Sequence, residues 1–316
     1  MTQTFTVSNR VDDRGNIARI RLTPEDGSGL PLPTAGAHLD IYLPEVDLWR
    51  QYSLCSDPAE TAFYEIGVLK DPNSRGGSEA MHRLATPGAR FKIEGPRNHF
   101  PLDETADHSV LIGGGIGVTP MIAMAARLHA LGKAFTLHYC TRSAEVTAFT
   151  DTLCAAPFAE RVVYHFDDQD ADQKLDLERD LPPAADGTHL YVCGPQGFMD
   201  WVISTAEAAG HQPQNVHREY FSADVELSGD SFDVECAQSG VTVTVGADET
   251  IAKALAKEGV MIEVKCEEGV CGTCMTDVLS GEIEHRDQFL TDEEREDGDV
   301  IMACCSRGKG KLVLDI

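Results

Sequence analysis

Short runs in which β-branched and aromatic residues recur every second or third position fill the first hundred residues. FTVSNRV (5–11), IARIRL (17–22), HLDIYL (38–43), QYSLCS (51–56) and FYEIGVL (63–69) are separated by Gly15, Pro24, Gly36, Pro44 and Pro72. Strand-length apolar runs punctuated by turn residues predict a small antiparallel barrel. One short helix is expected after Gly77, through Met81 to Leu84. From about residue 103 the pattern changes. SVLIGGG (109–115) is an apolar strand running into the helical stretch TPMIAMAARLHALG (119–132), and FTLHYCT, VVYHF, HLYVCGP, FMDWVISTAEAAG and NVHREYF follow. Strands alternating with helices predict a doubly wound parallel sheet.

Residues 222–231, SADVELSGDS, are polar and read as a linker. Beyond them, FDVECAQSGVTVTV predicts paired strands, TIAKALAKEG has helical spacing, and LVLDI reads as a closing strand. The expected organisation is therefore multidomain: a β-barrel over 1–102, an α/β domain over 103–225, and a smaller third domain over 232–316.

A length of 316 residues suits two or three domains, and 42% hydrophobic residues suit packed cores rather than disorder. No run approaches the roughly 20 apolar residues of a membrane span. The start, MTQTFTVSNR, lacks the basic and apolar segments of a signal peptide, so a cytoplasmic location is expected. The net charge of −26 disfavours nucleic acid and anionic membranes as partners. It fits a protein that meets a basic patch on another protein, and equally one that is simply kept soluble by its surface.

Of ten cysteines, Cys55, Cys140, Cys154, Cys193 and Cys236 are scattered, whereas Cys266, Cys271, Cys274, Cys304 and Cys305 crowd the last fifth. Cys266, Cys271 and Cys274 have C-x4-C-x2-C spacing, and Cys304 follows after 29 residues. This is the plant-type spacing for a [2Fe–2S] cluster: three thiolates on one tight loop wrap two irons, and a distant fourth closes the cage. Gly269 and Gly272 let that loop curl, with backbone N–H groups turned to the sulfides. Zinc is the alternative, but it favours paired C-x2-C knuckles, and only one such pair is present. The adjacency of Cys305 leaves the fourth ligand open on spacing alone.

Gly113, Gly114, Gly115 and Gly117 follow a strand and open a helix, where bare backbone can approach a pyrophosphate at the helix N-terminus. A tight strand–helix turn without a ligand would look the same. Cys193, Gly194 and Pro195 end another apolar strand, and in a parallel sheet both turns lie at the ligand-binding carboxyl edge. Together they point to a nicotinamide nucleotide. Arg142, after a third strand, either holds a phosphate or is a surface arginine. In the barrel, Arg50, Tyr52 and Ser53 offer a cation, an aromatic ring and a hydroxyl, the types a flavin needs. Arg75, Gly76, Gly77 and Ser78 precede the short helix and could hold its phosphate.

The three motif sets, in this order, resemble the phthalate dioxygenase reductase family, which includes the vanillate O-demethylase reductase subunits. The resemblance covers essentially the whole chain. It is carried by RQYSL (50–54), RGGS (75–78), GGGIGVTP (113–120), CGP (193–195), EYFS (219–222), the cysteine set, EHRDQFLTDEE (284–294) and CCSR (304–307). It implies a flavin barrel, an NAD-binding α/β domain and a C-terminal ferredoxin-like, β-grasp domain. It also implies NADH as donor, a Rieske-type oxygenase as acceptor, and FMN rather than FAD, since the short barrel lacks an obvious adenine-stacking loop. The family's fourth ligand precedes x-Ser-Arg, which matches Cys304 and makes Cys305 a non-ligand.

By the same resemblance, Ser53 hydrogen-bonds near flavin N5 and Tyr52 packs on the ring. Thr119, beside Pro120, and Cys193 sit near the nicotinamide–flavin contact. Glu219 and Phe221 cover the other side of the flavin, with Glu219 either a proton relay or a surface carboxylate. Nicotinamide gives two electrons as hydride, a two-iron cluster takes one, and flavin does both. Two other functional classes remain compatible: a stand-alone NADH-dependent reductase of a small acceptor, and a redox sensor. The motifs do not select the oxygenase or its substrate.

Overall fold

Three sheets organise the chain. The computed structural model describes residues 2–72, 74–223 and 225–316. The first sheet contains β1 (Gln3–Asp13), β2 (Ile17–Pro24), β3 (His38–Leu43), β4 (Leu48–Ser53), β5 (Tyr64–Leu69) and β6 (Arg90–Arg97), with α1 (Gly77–Leu84) between the last two. Its strands run antiparallel in the order β4-β3-β6-β1-β2-β5, and a bridge between Leu54 and Ile66 joins the two ends. Period-two burial explains the closure: Ile20 and Leu22, Leu39 and Ile41, Ile66 and Val68, and Phe91 and Ile93 all face one apolar interior.

The second sheet is parallel. It contains β7 (His108–Gly114), β8 (Ala134–Thr141), β9 (Val162–Phe166), β10 (Thr188–Cys193) and β11 (Val216–Glu219). The helices α2 (Val118–Ala130), α3 (Thr150–Ala155), α4 (Leu177–Asp180) and α5 (Gln196–Ala208) lie in its connections. The order β11-β10-β7-β8-β9 puts a topological switch between β7 and β10. Helix α5 buries Met199, Val202, Ile203 and Ala206, one stripe at helical spacing. The core of this sheet also takes in Ile17, Ala35, Cys55 and Phe100 from the barrel segment. That shared apolar contact makes Met1–Glu219 one compact unit containing two sheets.

The second unit is Tyr220–Ile316. It contains β12 (Phe232–Cys236), β13 (Thr242–Val245), α6 (Ile251–Lys257), β14 (Met275–Ser280), β15 (Ile283–Glu284), α7 (Asp292–Asp297), β16 (Val300–Met302), β17 (Arg307–Gly308) and β18 (Leu312–Leu314). Its mixed sheet has the order β13-β12-β18-β14-β16, with β12 and β18 parallel, and β15 pairs with β17 as a separate ribbon. Thr250 caps α6 through Lys253 N, and Thr291 with Glu294 forms a reciprocal capping box on α7. Asp224, inside the expected linker, lies outside the described residues. Among the described residues no helix is long and apolar enough to cross a membrane.

Candidate functional site

In the first unit, the ends of β4, β10 and β11 bring Ser53, Cys193 and Glu219 together. Cys193 pairs with Glu219 across the parallel β10–β11 ladder and with Gly113 on β7. The Ser53 hydroxyl donates to Glu219 Oε2 at 3.1 Å. Burial pushes the Glu219 carboxyl up to about 8, against the lowering effect of the Ser53 hydrogen bond. Glu219 is half-buried at the end of β11, and the upward shift favours its protonated form. Burial, with the Glu219 charge adding to it, also pushes the Cys193 thiol well up, so Cys193 is a neutral thiol rather than a nucleophile.

The glycine turn at the switch point has two kinds of position. At Gly113 a Cβ would fall 2.8 Å from Val118 Cα, and at Gly117 it would fall 2.3 Å from the Cys193 carbonyl oxygen. Those two glycines let β7, α2 and the Cys193 turn touch. Gly115 differs: its φ is +56° and a Cβ there would meet nothing within 4 Å. Bare backbone thus faces open space at this point, as an approaching phosphate requires. Phe198, which the sequence pattern did not single out, lays its ring against Gly114 and Gly194. Pro195 is exposed, Arg142 is exposed just beyond the carboxyl end of β8, and Pro120 is buried in α2.

Thr119 is 1% exposed and donates to the Ile116 carbonyl at 3.0 Å. Its methyl group faces Gly67 on β5, where a Cβ would lie 2.9 Å from Thr119 Cγ2 and 2.7 Å from the Phe149 ring. Gly67 is a second residue without a sequence signal, because a lone glycine in a strand pattern does not announce its neighbour.

On the barrel, Arg50 reaches the start of α1. A Cβ on Gly77 would fall 2.7 Å from Arg50 Nε, and Arg50 Nη1 donates to the Trp49 carbonyl at 2.8 Å. The Ser74 hydroxyl, also missed from sequence, accepts from Gly76 N at 3.1 Å and Ser78 N at 3.3 Å. Arg75 is exposed beside them. The Arg50 guanidinium thus meets the N-terminal turn of α1, where a bound phosphate would take the Gly76 and Ser78 amides over from the Ser74 hydroxyl. The Tyr52 hydroxyl is buried without a hydrogen-bond partner, an orphan that a ligand in this cleft would relieve, and burial raises its pKa. Together these residues fit a flavin.

In the second unit, Cys266, Cys271, Cys274 and Cys304 are all buried. The Cys266 thiol contacts those of Cys271 and Cys304. Glu268 N donates to Cys266 Sγ at 3.4 Å, and the Cys271 thiol lies 3.4 Å from the Thr273 hydroxyl. Glu267, Gly269 and Gly272 have φ of +58°, +66° and +71°, so the loop curls at three left-handed positions. Cys305 is packed under Gly269, with its Sγ 3.8 Å from the Met302 carbonyl oxygen, and its thiol contacts that of Cys304. Three buried thiols on a curled loop, a fourth from Cys304 and an amide turned to sulfur fit a [2Fe–2S] cluster. Phe221, two residues past Glu219, belongs to the second unit and is 38% exposed.

The 2Fe-2S iron–sulfur cluster binding domain family matches residues 234–309. The family described as dimethylamine monooxygenase subunit DmmA-like, N-terminal domain, matches residues 94–216. The vanillate O-demethylase oxidoreductase of Pseudomonas sp. strain HR199 is 46% identical over 304 residues, covering 95% of this chain and 96% of the relative. The chain belongs to the vanillate O-demethylase oxidoreductase family. The carnitine monooxygenase reductase subunit of Escherichia coli is 38% identical, covering 95% of this chain and 94% of its own. The solved structure of phthalate dioxygenase reductase, described as a modular structure for electron transfer from pyridine nucleotides to [2Fe–2S], superposes with a TM-score of 0.75. It is 36% identical, with 100% of this chain and 98% of that one covered. The family's architecture is the one seen here: an antiparallel flavin domain, a parallel nucleotide domain and a C-terminal iron–sulfur domain. This member of the family is thus an oxidoreductase with a flavin, NAD(H) and a [2Fe–2S] cluster as its redox groups.

Proposed function

We propose that this protein is the reductase component of a two-component Rieske-type oxygenase, working in the cytoplasm with NADH as donor. The observation that carries this reading is near-full-length likeness to a vanillate O-demethylase oxidoreductase and a carnitine monooxygenase reductase subunit, joined to a cluster loop and a set of flavin-type residues in one chain. When bound, the flavin turns a hydride into single electrons and the cluster carries them one at a time.

Arg50 and the amides of Gly76, Gly77 and Ser78, with Arg75 beside them, hold the flavin phosphate. FMN is the flavin that needs no more than this. Tyr52 packs on its ring and Phe221 is the second aromatic residue assigned to it. Ser53 turns its single O–H to the reactive edge, and the protonated Glu219 then donates to the Ser53 hydroxyl oxygen. Gly113, Gly114, Gly115 and Gly117 present backbone to the nucleotide pyrophosphate, and Arg142 takes a phosphate. Thr119, Pro120, Cys193, Gly194 and Pro195 form the apolar floor that excludes water from the nicotinamide. Cys266, Cys271, Cys274 and Cys304 hold the cluster.

The test is reconstitution. The purified protein with its oxygenase and NADH should support product formation, and cytochrome c should serve as a surrogate acceptor. Fast reduction of ferric chelates or quinones, with no stimulation of any oxygenase, would instead identify a stand-alone reductase.

A further inference from the structure

The run EHRDQFLTDEE (284–294) carries part of the likeness to the family, yet none of the roles assigned above falls on it. At its centre Asp287 is 2% exposed. Its Oδ2 accepts from Phe289 N at 3.1 Å and Leu290 N at 2.9 Å, and its Oδ1 accepts from the Ser306 hydroxyl at 3.2 Å. All three bonds arrive from donors, which suits a carboxylate. A carboxylate is almost never buried to this degree without a partner. The partner here is Arg295 on α7, whose Nη2 donates to the Asp287 carbonyl at 2.6 Å and stands 3.7 Å from Asp287 Oδ2. The His285 ring stands 3.7 Å from Oδ1.

Asp287 touches both parts of the thiol cage. The first part is the loop from Cys266 to Cys274. Gln288 N donates to the Gly269 carbonyl at 2.9 Å, and a Cβ on Gly269 would lie 2.9 Å from Asp287 Cα and Cβ. The second part is the turn that carries Cys304. Ser306, two residues on, is 1% exposed, and its hydroxyl accepts from Arg286 N at 3.1 Å while donating to Asp287. A backbone bond from Ala303 N to the Cys274 carbonyl, 3.2 Å long, joins the two parts at one end of the loop. Asp287 joins them at Gly269, inside the loop.

We infer that Asp287 is a positioning residue that ties the cluster loop to the Cys304 turn and, with Arg295 as its counter-charge, sets the reduction potential of the [2Fe–2S] cluster. An added electron makes the cluster more negative. A carboxylate fixed against both parts of the cage opposes that change and a guanidinium favours it, more strongly in a buried site than in water. Loss of either charge therefore moves the potential, and the two losses move it in opposite directions. A residue that only fills space produces no such pattern. The inference rests on the cluster assignment made above.

The test uses the full-length holoprotein and the variants Asp287→Asn, Arg295→Gln and Ser306→Ala. Asparagine keeps the shape of Asp287 and an oxygen for the Phe289 and Leu290 amides. A reductive titration followed by the electron paramagnetic resonance of the cluster reads the potential. Asp287→Asn should shift the reduction equilibrium about tenfold towards the reduced cluster, and Arg295→Gln about as far towards the oxidised one; tenfold is about 59 mV for one electron. The tie is read by the release of iron to a chelator, which Ser306→Ala should speed by about fivefold, the effect of one lost hydrogen bond. Potentials that do not move, or that move the same way in Asp287→Asn and Arg295→Gln, overturn the role of the charge. Native release rates in Ser306→Ala and Asp287→Asn overturn the tie. If Asp287→Asn takes up no cluster, Arg295→Gln decides alone, and a potential at or above the native one overturns the inference. A native protein with no cluster signal after reduction would overturn the cluster assignment itself, and this inference with it.

Discussion

The Ser53 hydroxyl donates to Glu219 Oε2 over 3.1 Å, tying the last residue of β4 in the barrel to the last residue of β11 in the parallel sheet. The bond puts a protonated carboxyl beside the aliphatic hydroxyl of the RQYS run. Glu219 keeps its proton up to about pH 8, whereas the ordinary value is 4.5. The folded protein therefore binds more protons than the unfolded chain between those values, and the Glu219 contribution to stability falls as pH rises across that window.

A kinetic step follows from the same shift. The rate of flavin reduction by NADH, followed by stopped flow, should fall as pH rises through about 8. Glu219→Gln, which cannot exchange the proton, should be slower by at least about tenfold, at the low end or below the usual effect of a general acid. Its profile should be flat. A Gln variant that keeps the native step near that pH would place the titrating group elsewhere.

The phosphate cradle makes a second prediction. Arg50→Ala should purify with little flavin, and Gly77→Val should do the same, because a side chain there collides with the guanidinium. Arg50→Lys should retain part of it. Chromatography of the flavin released from the native protein by heat should give FMN. FAD would reveal an adenine site that the barrel sequence does not display.

The cysteine cage makes a third. Cys266→Ser, Cys271→Ser, Cys274→Ser and Cys304→Ser should each lose the visible iron–sulfur absorption, and Cys305→Ser should keep it. The basis is the spacing, together with the Cys266 thiol contacting both Cys271 and Cys304, while Cys305 contacts Cys304 from under Gly269, beside the Met302 carbonyl. Loss with Cys305→Ser and retention with Cys304→Ser would reverse the assignment.

Strong local signals made much of this legible in the sequence. The cysteine spacing, the glycine turn before α2 and the Cys193 turn all sit at ends of apolar strands, where periodicity and turn chemistry agree. Strand β6 was not read, although Phe91 and Ile93 alternate with Arg90, Lys92 and Glu94. Its charged partners and Gly95-Pro96 end mask a strand whose apolar side is only two residues. The three sheets expected from the sequence are present, but that Ile17, Ala35, Cys55 and Phe100 join the nucleotide core, so that the first two sheets share one compact unit, is a contact that no pattern within the barrel segment encodes. The backbone partners of the expected linker were not legible either. Its polar side chains suggest solvent, but its backbone carbonyls are held by Arg286 and Arg307, 58 to 80 positions further along the chain.

The central claim is that electrons enter from NADH at the flavin and leave only through the cluster. Anaerobic mixing of the full-length protein with NADH, with flavin and cluster absorption followed together, tests it most directly, alongside the Cys304→Ser variant. The flavin should bleach first and the cluster second. The variant should reduce ferricyanide at the native rate, yet support neither the oxygenase nor efficient cytochrome c reduction. Cluster reduction with no preceding flavin phase, or oxygenase turnover at the native rate by the cluster-free variant, would contradict the account.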